Sequence, residues 1–204
     1  MNTPDDFPLG YHGVHSNVSL NFQFNRWFNW VGDPIMLDEV REASTRVRTY
    51  PDLQRDFLLL AESALLTAAN LKAAYYLRAT EFFMANTDPQ RLRVRSKFIA
   101  LMRSYYGHGR FEQHRVPYID GLVKGLHPAY RFTPPDAKGV IIFFGGFDSY
   151  IEELFKFFVC WRDAGYDVVA FEGPGQGGAL FDANLSMTHE WEKAGGGCTR
   201  LLCA

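Results

Sequence analysis

The sequence predicts two architectures in succession: an all-helical N-terminal half and an α/β C-terminal half. Three observations carry this. Two Asp-Pro helix starts frame a stretch rich in Leu, Ala and Tyr in the first half. From His114 to Pro135 the texture changes to short segments broken by glycine. Two unbroken apolar runs, Gly139–Phe144 and Val168–Phe171, then flank a stretch with helical apolar spacing, as a parallel strand–helix–strand unit requires.

Taken in order, residues 1 to about 112 read as helix throughout. Asp33-Pro34 supplies an N-cap with proline in the first turn, and Asp88-Pro89 repeats the signal. Between them Phe57–Ala85 is compatible with one long helix. The helix from Pro89 sets Leu92, Ile99, Met102 and Tyr106 roughly on one face and stops at Gly107-His108-Gly109. No internal repeat supports a solenoid. His114–Pro135 reads as an antiparallel hairpin at a sheet edge, ended by Pro134-Pro135. Gly139–Phe144 reads as a strand buried on both faces. Ser149 with Glu152 matches a capping box, followed by the stripe Ile151, Leu154, Phe155 and Phe158, with a stop at Gly165. Residues 139–171 then form one unit, expected to cross over right-handedly.

Composition narrows the function. The 204 residues are 47% hydrophobic and 16% aromatic, enough for a large core. A net charge of −2 argues against nucleic acid or an anionic membrane as partner. MNTPDDFPLG has neither a basic segment nor an apolar leader, and no apolar run is long enough to span a bilayer. Cys160, Cys198 and Cys203 make neither a disulfide framework nor a zinc pattern, so a reducing, cytoplasmic setting is expected.

The stretch DVVAFEGPGQGG (Asp167–Gly178) satisfies G-x-G-x-x-G at Gly173, Gly175 and Gly178. A dinucleotide loop opens a helix directly and has an acidic residue after the next strand. Here Ala179–Asn184 is a weak helix start and no such strand follows. A P-loop fails, because Ala179-Leu180 replace Lys and Ser/Thr. Instead Glu172–Gly177 (EGPGQG) resembles the acidic-x-Pro-Gly-x-Gly turn after the fourth strand of α/β-hydrolases. Phe144–Ser149 (FGGFDS) resembles the Gly-Gly loop after the third strand. With the long helical segment ahead, the chain resembles the group containing FrsA, dihydroxypseudooxynicotine hydrolase and fungal polyketide-shortening hydrolases.

The resemblance implies a helical cap over residues 1–112, then an incomplete α/β-hydrolase sheet of about the first four strands over 113–193. It implies Ser-His-Asp hydrolysis of an ester, or of an activated C–C bond next to a carbonyl, in a small-molecule substrate. It implies no cofactor and no metal, and it allows a homodimer for the full-length form. It places the oxyanion hole at the backbone of Gly146 and Phe147.

No Gly-x-Ser-x-Gly occurs in the sequence, and only 26 residues follow Gly178. The family's triad follows this turn, so none of its members maps onto a residue here. After Trp191-Glu192-Lys193 the composition changes to AGGGCTRLLCA, and three consecutive glycines fit no helix. Codons for Ala194–Ala204 can be chosen so that a one-nucleotide shift reads PVAAVLDYFA, an amphipathic helix. Residues 194–204 are therefore expected to be a frameshifted or gene-model tail, and the chain as written to be inactive. Its edge Val140–Phe144 is expected to be exposed and prone to self-association.

Other candidates have plainer readings. Ser149 is explained by its cap. Ser186 and His189 are helix-spaced but lack an orienting acid, and Thr188 is a further cap candidate. His12 and His15 line a cap pocket or sit satisfied in core or surface. His108 and His114 read as loop residues and His127 as a strand-edge residue. The aromatics of Asn21–Trp30 face substrate or pack inside. Arg91, Arg93, Arg95 and Lys97 read as a solvated face. They also give the rival reading, a non-catalytic helical interaction protein with a remnant hydrolase domain, its only support.

Overall fold

The structure, a computed structural model, describes residues 10–107 and 109–202. The chain divides into two compact units between Tyr105 and Tyr106.

The first unit is helical. α1 (Val18–Val31) is capped by Asn17, whose side chain accepts from the Leu20 N–H. α2 (Pro34–Ser44) starts as the sequence predicts, with Asp33 accepting from Ile35 N–H and Pro34 in the first turn. α3 (Tyr50–Leu66) opens on a complete Thr49/Asp52 capping box. α4 (Asn70–Phe82) and α5 (Arg91–Tyr106) follow. Residues 57–85 are thus two helices, not one. The break is at Ala68, which adopts a left-handed φ of 56°. Backbone bonds from Ala68 to Leu65 and from Ala69 to Ala64 close the turn. It lets α4 fold back so that Tyr76 meets Phe57 edge-to-face at 5.7 Å. Neither glycine nor proline marks this turn, so it is invisible to pattern. Asp88 accepts from Gln90 N–H in a turn, and the helix begins at Arg91, after the expected Pro89. α5 buries Val94, Phe98 and Met102, whereas Leu92 is exposed.

The second unit is a four-stranded mixed sheet, order β1-β2-β4-β3. β1 (Glu112–Asp120) and β2 (Val123–Phe132) form the expected edge hairpin around Gly121, whose φ of 57° makes the tight turn. β2 runs antiparallel to β4 (Tyr166–Phe171), and β3 (Gly139–Phe144) runs parallel to β4, with Phe144 opposite Phe171. α6 (Phe155–Asp163) covers one face with Phe155 and Phe158 against Phe132 and Phe143. On the other face Val116, Tyr118, Val169 and Phe171 pack with Ala179, Leu185, Ala194 and Cys198. These come from α7 (Gly177–Phe181), α8 (Trp191–Thr199) and the segment between them.

Three expectations change. β4 is buried almost end to end, but β3 alternates, with Val140, Ile142 and Phe144 exposed. β3 is the edge strand; α8 reaches its end through Trp191, whose ring lies 4.9 Å from that of Phe144, yet Phe144 remains exposed. Ser149 and Glu152 make no capping box. A 3₁₀ turn, Ile151–Leu154, precedes α6, and the Ser149 hydroxyl donates to Gly146 C=O at 3.0 Å. Finally, the triple glycine lies inside a helix. α8 carries Gly195, Gly196 and Gly197, held to the sheet by buried Ala194 and Cys198. Docking on β1 overrides the poor intrinsic propensity.

Candidate functional site

The two glycine loops leave the C-terminal ends of the adjacent strands β3 and β4, where ligands of open α/β sheets bind. The β4 loop is filled by the protein's own atoms. A Cβ on Gly173 would stand 2.6 Å from the Trp191 ring. Gly175, at φ 84°, lies where a Cβ would stand 2.8 Å from Met187 Cα. A Cβ on Gly177 would stand 2.1 Å from Glu172 Oε1. The buried Glu172 carboxylate accepts from Gly178 N–H in the first turn of α7 and, at 3.0 Å, from Ile151 N–H. An anion from within the chain already occupies the place a phosphate would take, so the dinucleotide match is one of letters only.

In the β3 loop Ser149 Oγ crowds Gly145 in the same way, but the next two residues are open. Gly146 and Phe147 are exposed, Phe147 at 74%. Neither amide donates a hydrogen bond among the described residues. The loop is nevertheless braced. Gln176 accepts from Gly173 N–H at 3.0 Å and donates to Gly145 C=O. Ser149 N–H and its hydroxyl both donate to Gly146 C=O. Two free N–H groups on a fixed loop are the type of donor pair that stabilises a developing oxyanion.

The remaining candidates are dispersed. Ser186 and His189 lie in an exposed stretch outside any helix. Thr188 Oγ1 accepts from Glu190 N–H. His15 bonds Val47 C=O through Nε2, and its Nδ1 accepts from Asn17 N–H. His12 stacks edge-on against Phe28. His114 lies in β1, paired with Ala129, and not in a loop, and its ring bonds Glu112. His108 and Cys203 lie outside the described residues. Of the Asn21–Trp30 aromatics, Phe24, Trp27 and Phe28 are buried and Phe22 is exposed. The basic cluster is only partly a solvated face: Arg95 is buried and Arg91 pairs with Glu81 at 2.7 Å. Among the described residues no cluster of three or more His, Cys, Asp or Glu could hold a metal. No helix there is long and apolar enough to cross a membrane.

His127 corrects its sequence reading. It is wholly buried in β2, 5.6 Å from the Phe171 ring, and neither ring nitrogen makes a hydrogen bond of normal geometry. Burial pushes its pKa down to about 4, which the Glu172 backbone opposes in part. Cys198 is a buried thiol, its pKa pushed up to about 12 by burial.

No protein-family profile matches the chain. Among curated proteins it is 33% identical over 142 residues to the alpha/beta hydrolase psoB of Aspergillus fumigatus, covering 63% of this chain and 31% of that protein. It is 28% identical over 208 residues to the 20-hydroxy-prefusarin hydrolase FUS2 of Gibberella moniliformis, covering 89% and 49%. The chain thus spans about a third to a half of the length of these relatives. Among solved structures, AbyA5 superposes with a TM-score of 0.63 at 15% identity, over 90% of this chain and 51% of that one. The 2,6-dihydroxy-pseudo-oxynicotine hydrolase gives 0.52 at 22% identity, over 81% and 50%. With a helical region ahead of a sheet ordered β1-β2-β4-β3, the chain has the fold of the α/β-hydrolases and is similar in sequence to the fungal hydrolases.

Proposed function

We propose that this chain supplies the helical region and the oxyanion side of a serine-type hydrolase acting on an ester, or on an activated C–C bond next to a carbonyl. The observation that carries the reading is the pair of free, exposed amides at Gly146 and Phe147, on a braced loop at the C-terminal end of β3. When a nucleophile adds to a carbonyl, the oxygen becomes anionic. Donors already in place bind that oxygen more tightly than the ground-state carbonyl, and losing one such donor costs about 3 kcal/mol of barrier.

The attacking serine is not among these residues in our reading. Ser149 commits its hydroxyl to Gly146 C=O, and Ser186 lies in an exposed stretch outside any helix, without the helical spacing that would set it beside His189. Residues 1–204 alone should therefore turn over no ester. A form continuing in the shifted frame beyond Lys193 should hydrolyse one, and should lose that activity when its elbow serine is replaced. Sequencing the DNA around the Lys193 codon tests the premise: a shifted frame without a downstream Gly-x-Ser-x-Gly would sink it. The four basic residues of α5 that favoured an interaction protein lend that rival little, since Arg95 is buried and Arg91 pairs with Glu81.

A further inference from the structure

We propose that Gln176 and Glu172 are positioning residues: side chains of the β4 loop fix the β3 loop so that the Gly146 and Phe147 amides stand ready for an oxygen. The purpose rests on the oxyanion reading above, whereas the tie itself rests on geometry.

The β3 loop is anchored at both ends by its neighbour. At its start, the Gln176 side chain bridges Gly173 N–H and Gly145 C=O. At its end, Glu172 Oε1 takes the Ile151 N–H while its Oε2 takes the Gly178 N–H. Gln176 and Glu172 are each 3% exposed, so water does not compete for these bonds. Between the anchors, Ser149 closes a turn onto Gly146 C=O. Every one of these bonds takes a carbonyl, or an amide outside the Gly146–Phe147 pair, and leaves that pair free.

The residue types follow from the bonds. Gln176 must accept from one backbone group and donate to another, which a primary amide does and a carboxylate does not. Glu172 must accept one N–H at each of two terminal atoms, which a carboxylate does with its two oxygens and an amide, with one oxygen and one NH2, does at only one of them. Gln176→Glu therefore breaks the tie to Gly145 alone, and Glu172→Gln releases one of Ile151 or Gly178. Neither changes side-chain size appreciably.

The test is the ¹⁵N–¹H spectrum and the thermal unfolding of the 204-residue chain and both variants. Gln176→Glu should shift or broaden the Gly146 and Phe147 amides more than any amide of Val168, Val169 or Ala170 in β4, with cooperative unfolding retained. Glu172→Gln should move the same two amides, together with Ile151 or Gly178. Unchanged Gly146 and Phe147 resonances in both variants would overturn the proposal. So would changes spread evenly over β4, because these side chains would then serve the fold at large. No turnover is measured, so failure of the hydrolase reading, seen as absent ester cleavage, stays distinct from failure of the tie.

Discussion

Two glycine-rich loops leave the same end of two paired strands, and they differ in how much room their glycines leave. In the loop after β4, the space left by missing side chains is taken by Trp191, Met187 and Glu172. In the loop after β3, a Cβ on Gly145 would also be crowded, by Ser149 Oγ, but Gly146 has room, with Asp148 Oδ1 at 3.3 Å and Ser149 Oγ at 3.8 Å from a would-be Cβ. One loop is packed so that the other is held open. A glycine pattern therefore reports close approach without saying what approaches. In the β4 loop the guest is a carboxylate of the same chain.

The largest effect expected from this contrast is at Gly177. A Cβ there would stand 2.1 Å from Glu172 Oε1 and 2.3 Å from its Cδ, at a backbone φ of 32°. Glu172 cannot retreat without releasing Ile151 and Gly178. Gly177→Ala should destabilise the chain by about 3–4 kcal/mol in urea unfolding, as overpacking plus broken charge-assisted bonds. A loss below about 1 kcal/mol would mean that the β4 loop is not packed as described.

Beneath the filled loop lies His127, which sharpens the contrast through pH. Its folded pKa is about 4 against an ordinary 6.5. Between those values the unfolded chain binds more protons, so stability rises with pH. The contribution is complete above about pH 6.5 and is lost as pH falls toward 4, amounting to about 3 kcal/mol. His127→Leu should flatten that part of the stability–pH curve relative to the parent. An unchanged slope in the variant would place the pH dependence elsewhere.

The outline of the second unit was legible in the sequence because parallel strands are written as apolar runs and their loops as glycines. Val168–Phe171 and Gly139–Phe144 are both such runs, yet only the first is buried throughout. An apolar run records what a strand was built to pair with, and exposure records which neighbours cover it. The free amides at Gly146 and Phe147 were legible through the loop's resemblance to a known one. Gln176 was not, because a single glutamine carries no periodic or motif signal apart from the turn around it. His127 was misread because Pro128 beside it suggests an edge. Its strand lies inside the sheet, and Pro128 stands just before the β2–β4 ladder begins at Ala129, with its carbonyl accepting from Glu172 N–H. The turn at Ala68 escaped because it contains neither glycine nor proline and its left-handed residue is an alanine, the best helix former.

A third set of glycines, in α8, neither admits a neighbour nor frees a donor. Nothing lies within 4 Å of a Cβ built on Gly195 or Gly196. Each therefore only weakens its helix, and Gly195→Ala or Gly196→Ala should stabilise by about 0.5–1 kcal/mol. Gly197→Ala should forfeit most of that gain, because its Cβ would stand 3.0 Å from Val116 Cγ1. Denaturant midpoints of the three single variants decide this. Equal gains at all three positions would mean that α8 does not dock on β1.

The smallest effect completes the contrast. Gly146→Ala makes the same chemical change as Gly177→Ala, one strand over. Its Cβ would meet only the side-chain atoms of Asp148 and Ser149, at 3.3 and 3.8 Å. Gly146 also does not adopt the left-handed region that would strain an alanine. Stability should change by no more than about 0.5 kcal/mol, as at an ordinary surface position. If Gly146→Ala instead destabilises as much as Gly177→Ala, the β3 loop is as closely packed as its neighbour. No room would then remain beside its amides for a substrate oxygen, and the oxyanion reading would fall with it.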